Sequence, residues 1–214
     1  MYNLYFKGLS ADNKDINKLR DLFKENGLEL TNVFDSYEDL AALSKDKIYS
    51  EINDKLIEVN PTMQDVNLIC HSMGCNIGAL ATEKSNKIKK LILISPEFGE
   101  YSSKEKAKLE DKNIFPTIQS EYGEKSKINL EKFRSLIVFK RTKPLATLAI
   151  ERINIPTLII YSKDDDFIPK EYLDSLSKRK DNIEIKRIST KLHNPLSSKD
   201  HKQKTIKLIK NFLN

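Results

Sequence analysis

Short apolar runs rich in Ile, Leu and Val alternate with longer helix-patterned stretches along almost the whole chain, and this rhythm narrows the possible folds more than any other feature. The runs lie at residues 3–6, 28–33, 65–70, 90–95, 157–162 and 183–188. Their apolarity is nearly continuous, as expected of strands covered on both faces. Between them, residues 12–26 place Ile16, Leu19, Leu22 and Phe23 at helical spacing, and residues 44–58 do the same with Ile48, Ile52 and Leu56. A closing helix over residues 198–213 carries Ile206, Ile209 and Phe212 on one stripe. The pattern predicts an α/β fold: about six parallel strands flanked by helices. At 214 residues, one domain spanning 1–214 accommodates it.

One stretch departs from the rhythm. Residues 96–130 are highly charged, with Tyr101, Phe115 and Tyr122 scattered and no clean period, before 130–140 and 144–151 turn helical again. So long a segment of weak pattern inside a compact domain reads as a lid insertion, or as a two-helix excursion. As a lid it would follow the fourth strand and cap the sheet's C-terminal edge, making Tyr101, Phe115 and Tyr122 candidates for contact with substrate.

Composition excludes several classes. With 39% hydrophobic and 32% charged residues, the chain is neither disordered nor fibrous. No window approaches the roughly 18 apolar residues of a membrane span, and residues 1–9 lack the apolar core and cleavage site of a signal peptide. A cytoplasmic location is expected. Cys70 and Cys75 lie within one apolar segment, where they read as small buried hydrophobes and not as a staple or a redox pair. The net charge of +6 is concentrated in residues 178–214, which hold 11 Lys/Arg against 3 Asp/Glu. No aromatic interleaving or nucleic-acid motif accompanies that charge, so it reads as the solvated face of the closing helix, with Lys207 and Lys210 near its negative end. No nucleic-acid partner is expected.

The chemistry gathers around residues 66–81. An apolar run ends at Cys70 and a small-residue helix starts near Met73, which leaves Ser72 on a very tight strand-to-helix turn. Such a turn strains the serine's backbone and tolerates only small residues two before and two after it, a condition that Cys70 and Gly74 meet. The hydroxyl then stands above the strand's end, and the Met73 N–H at the helix start faces any oxyanion that develops there. A second apolar strand, 157–162, runs into Asp164, Asp165 and Asp166 and then Ile168-Pro169. Three histidines are available. His71 precedes Ser72 and is expected to point away from it, His201 falls in the closing helix, and His193 sits in a polar loop after the last strand.

These stretches resemble the α/β-hydrolase family, in particular its small serine esterases and lipases such as bacterial carboxylesterases and monoacylglycerol-lipase-like hydrolases. His71-Ser72-Met73-Gly74 looks like the family's nucleophile elbow, although the family has glycine where Cys70 stands. Residues 162–169 resemble its acid strand, and aligning Ser162 with the family glycine and Ile168-Pro169 with the terminal pair selects Asp165; Asp164 or Asp166 would then cap the next helix. The family's base occupies the loop that holds His193, and the chain order Ser72, Asp165, His193 agrees with the family order. Lys7-Gly8-Leu9 takes the place of the family's His-Gly-x turn, which implies the Leu9 amide as second oxyanion donor beside Met73. The resemblance also implies the strand order 2-1-3-4-5-6, without the two leading strands of the eight-stranded form.

The implied activity is hydrolysis of a carboxylic ester through an acyl-enzyme, with Ser72 as nucleophile, His193 as base and Asp165 as its orienting acid. The implied partner is a small-molecule ester or acyl substrate. A thioesterase, amidase or acyltransferase would use the same triad, and a non-catalytic binding protein could be built on the same fold. No cofactor is implied. No metal is expected either, because two cysteines and three histidines stand at no ligand spacing, and neither a phosphate loop nor a dinucleotide fingerprint is present.

Overall fold

A computed structural model describes residues 2–8, 13–106 and 130–214, without the side chains of 13, 130–133 and 135. Six strands form one parallel sheet: β1 (Tyr2–Phe6), β2 (Leu30–Asn32), β3 (Val66–His71), β4 (Ile88–Ile94), β5 (Thr157–Ser162) and β6 (Ile183–Ile188). Their order is β2-β1-β3-β4-β5-β6, the order the resemblance implies. Alternation along the strands divides the core. Leu4, Phe6, Leu68, Cys70, Leu91, Leu93, Ile159 and Tyr161 face one side, and Tyr5, Ile69, Ile92, Ile94, Leu158 and Ile160 face the other.

The helices whose bounds lie within the described residues are α1 (Asn13–Glu25), α2 (Lys45–Val59), α3 (Met73–Lys84), α4 (Leu130–Arg152), α5 (Lys170–Arg179) and α6 (Lys202–Leu213). Residues of α2, α3, α4 and α5 join the first core, whereas Phe23 of α1 and Ile206 and Ile209 of α6 join the second. Lys90 of β4 donates to the Phe212 and Leu213 carbonyls at 2.7 and 2.8 Å, satisfying the open end of α6. From β2 the chain returns across β1 to pair β3 on its far side. That reversal opens a crevice between the C-terminal ends of β1 and β3, where open α/β sheets hold their ligands.

Several expected boundaries shift. The second strand is confined to three residues, and β4 starts two residues earlier than its apolar run, at Ile88. The larger correction concerns α4, a single helix across the expected break at residues 141–143, with Pro144 inside it. Proline removes the N–H that would reach the Lys140 carbonyl and should end the helix. Packing overrides it: Val138, Ala146, Ala149 and Ile150 are fully buried, and Thr142 faces Asn76 of α3 at 3.4 Å. Of the expected lid, residues 107–129 lie outside the described residues.

Candidate active site

β3 delivers the chain to Ser72 with every residue buried, and α3 begins one residue later. Ser72 has φ 50° and ψ −122°, a left-handed conformation that a side chain resists. It is held there by its N–H, which donates to the Ile94 carbonyl at 2.9 Å, and by its own carbonyl, which accepts from Cys75 N–H at 2.8 Å. A Cβ on Gly74 would lie 2.3 Å from the Phe6 carbonyl oxygen and 2.5 Å from that of Lys7, so only glycine lets α3 approach the end of β1 this closely. The Cys70 sulfur fills the corresponding gap one turn on: a Cβ on Gly78 would stand 2.3 Å from it. Cysteine therefore takes the family's glycine position at the expense of bulk at residue 78.

Ser72 Oγ lies 3.0 Å from His193 Nε2, and His193 Nδ1 lies 2.7 Å from Asp165 Oδ2. All three residues are buried. With Nδ1–H donating to the carboxylate, Nε2 is left to accept the serine proton. Asp165 Oδ1 accepts from Phe167 N–H at 2.9 Å, which fixes the carboxylate plane, and the Phe167 ring meets His193 edge-on at 6.0 Å. Among the three aspartates, Asp165 alone is buried and meets His193, whereas Asp164 is exposed. Neither neighbour caps α5; Glu105 Oε1 accepts from Lys170 N–H at 2.9 Å instead, so the expected Asp cap is corrected.

The chain belongs to the serine hydrolase family. The family model for serine hydrolases matches residues 49–193, a span that runs from α2 to His193 and includes Ser72 and Asp165. Among solved structures, the chain is similar to a monoacylglycerol lipase from Paleococcus ferrophilus (17% identity, TM-score 0.65, covering 99% of this chain and 93% of that one). It is also similar to an esterase from Exiguobacterium antarcticum (16%, 0.64, 100% and 92%) and to a lipase-esterase related protein from Clostridium acetobutylicum (20%, 0.63, 99% and 93%). These likenesses carry the α/β-hydrolase fold. No curated protein sequence matches.

In this serine hydrolase, the loop bearing His193 is tied down by strand-end hydroxyls: Ser95 Oγ donates to the His193 carbonyl and Ser162 Oγ to that of Leu192. Ser95 does not stand out in the sequence, and Ser162 enters it only as the counterpart of the family glycine; a lone hydroxyl at the end of a buried strand is the only signal of this tethering role. Ser95 shares the left-handed backbone of Ser72, at φ 51°. The turn after β1 is held similarly, with Lys7 Nζ on the Asp35 carbonyl and Tyr37 hydroxyl on the Lys7 carbonyl at 2.9 Å. Leu9, the expected second oxyanion donor, lies outside the described residues, as do Phe115 and Tyr122. Met73 is the first residue of α3, so its N–H precedes the helix's own hydrogen bonding. Tyr101 donates its hydroxyl to the Phe167 carbonyl at 2.6 Å.

His71 departs from expectation. Its ring lies 5.7 Å from that of His193, and its Nδ1 would stand 2.8 Å from a Cβ on Gly8, so it packs beside the site and does not turn from it. The left-handed turn at Ser72 brings its predecessor under the β1 turn. Burial, reinforced by His193, pushes the His71 pKa down to about 3, so it sits there as a neutral imidazole.

The largest omission of the sequence reading is Glu97, three residues past β4. Its Oε1 lies 3.2 Å from Ser72 Oγ and 3.4 Å from His193 Nε2. It was hidden in the charged stretch that follows Pro96, where one carboxylate among many carries no pattern. Among the described residues, no three His, Cys, Asp or Glu side chains gather as metal ligands would, and no helix is long and apolar enough to cross a membrane.

Proposed function

We propose that this serine hydrolase cleaves a carboxylic ester through an acyl-enzyme formed on Ser72. The observation that supports this most is the continuous path from Ser72 Oγ through His193 to Asp165, at 3.0 and 2.7 Å, on a strained strand-to-helix turn. Likeness to a monoacylglycerol lipase and to esterases favours an ester over other acyl derivatives. In this reading His193 Nε2 takes the Ser72 proton as Oγ attacks the carbonyl carbon. The tetrahedral intermediate carries its negative oxygen toward the Met73 N–H, aided by the dipole of α3. Collapse expels the alcohol, which receives its proton from Nε2. Water then attacks the acyl carbon by the same route, regenerating Ser72 and releasing the acid. Asp165 orients the imidazole and offsets the positive charge it carries between the two transfers.

A fluorophosphonate probe followed by peptide mass spectrometry tests this. Label on Ser72 alone, abolished in Ser72→Ala, is expected, together with faster turnover of a p-nitrophenyl ester than of the matching anilide. Labelling that persists in Ser72→Ala, or an anilide cleaved as readily as the ester, overturns it.

A further inference from the structure

The triad leaves Glu97 unexplained. It approaches from the side of Ser72 and His193 opposite Asp165: Asp165 binds Nδ1, whereas Glu97 stands near Nε2. Both of its contacts use Oε1, and among the described residues none lies within hydrogen-bond distance of Oε2. The side chain keeps 19% of its surface exposed. Lys143 of α4, a cation that acts on Glu97, places its ammonium on the rings of Tyr101 at 4.5 Å and Phe139 at 5.8 Å.

Nε2 is the atom that hands a proton to the departing alcohol in the proposed function, on which this inference rests. A group beside Nε2 is therefore a group beside the leaving oxygen. We propose that Glu97 is a specificity-determining residue that accepts a cation on the leaving-group side, so that the enzyme prefers esters of amino alcohols or quaternary ammonium alcohols over neutral and anionic ones. With no cation bound, Glu97 draws the Ser72 Oγ–H away from Nε2. An ammonium from the substrate gives it a partner of full charge and returns the hydroxyl to His193. His193, Asp165, Lys143 and the Ser72 hydroxyl act on Glu97, which in turn acts on Tyr101 and Cys75. Burial, with Asp165 adding to it, raises the Glu97 carboxyl above its ordinary range, while His193 and Lys143 oppose the rise. A cation bound there would lower it again.

The test compares acetylcholine with 3,3-dimethylbutyl acetate, its uncharged isostere, in the native chain and in Glu97→Gln. The ratio of their kcat/KM values is read, so any effect common to both esters cancels. The native ratio is expected to favour choline about five- to tenfold and to fall to near one in Glu97→Gln. In the native chain the same ratio falls as pH is lowered and Glu97 takes up a proton, a readout that needs no variant. A ratio unchanged by Glu97→Gln, or flat with pH, overturns the inference while leaving the ester hydrolase intact. If neither ester turns over but Ser72 takes the fluorophosphonate, choline must slow labelling of the native chain and not of Glu97→Gln; equal slowing overturns the inference. A Ser72 that accepts neither ester nor probe overturns the functional reading and this inference with it.

Discussion

The two faces of the sheet are covered in different ways. On one, α1 and α6 each bury a stripe, Ile16 and Phe23 in the first and Thr205, Ile206 and Ile209 in the second, and turn charged residues outward. On the other, α3 is buried through its first ten residues, Met73 to Thr82, beneath α2 and α4. The amphipathic face contributes stability through a shared core. The enclosed face contributes stability and also positions Ser72, because a helix packed on every side cannot rotate or slide without losing contacts in several directions. A left-handed serine persists only where its surroundings over-determine it. Stability and site geometry are thus separable across the sheet.

The sharpest test of that separation is Asp165→Asn, which stays within the site. It is expected to lower kcat for an ester by about 10⁴-fold while the urea-unfolding transition remains cooperative; a loss under tenfold would show that Asp165 does not orient the base. Ile209→Ala probes the opposite face. It should cost about 2–5 kcal/mol in urea unfolding while kcat per folded molecule is unchanged, and a fall in kcat would mean that the two faces are coupled.

His71 links stability to pH on the enclosed face. Held neutral with a pKa of about 3 against an ordinary 6.5, it binds fewer protons folded than unfolded between those values. Its stabilising contribution is therefore complete above about pH 6.5 and is lost as pH falls toward 3, a few kcal/mol in all. Urea midpoints measured against pH should flatten in His71→Asn over that window. Last in size is Gly74→Ala, which forces a methyl against two backbone carbonyls and should cost about 1–3 kcal/mol. Because those carbonyls end β1 at the crevice, it should also slow labelling of Ser72, which Ile209→Ala should not.

The same contrast governs what could be read from the sequence. α1, α2 and α6 announce themselves through helical spacing because water on one side forces a polar face. α3 has no polar face to reveal it, and it was found instead through the small residues around Ser72. The sequence predicts two helices where α4 is one, because Pro144 is a local signal, whereas the burial that carries the helix through it is not local. Asp165 and His193 are legible through the family resemblance, which aligns Ile168-Pro169 with the end of the acid strand and places the base in the loop that holds His193. Glu97, Ser95 and the tethering role of Ser162 are not legible because each acts through a contact between distant segments, and no spacing encodes such a contact.

The meeting of Cys70 with Gly78 also bears on how such a chain can change over generations. The two positions share space for one side chain, since the sulfur occupies what a methyl at 78 would need. A change to glycine at 70 alone leaves a void at the foot of the elbow, and a change to alanine at 78 alone produces a clash. The two substitutions should then be far better tolerated together than their separate costs suggest. A step from one arrangement to the other taken one residue at a time thus passes through a void or a clash. The unusual residue at the elbow is one half of an exchange whose other half lies eight positions away on the first turns of the following helix.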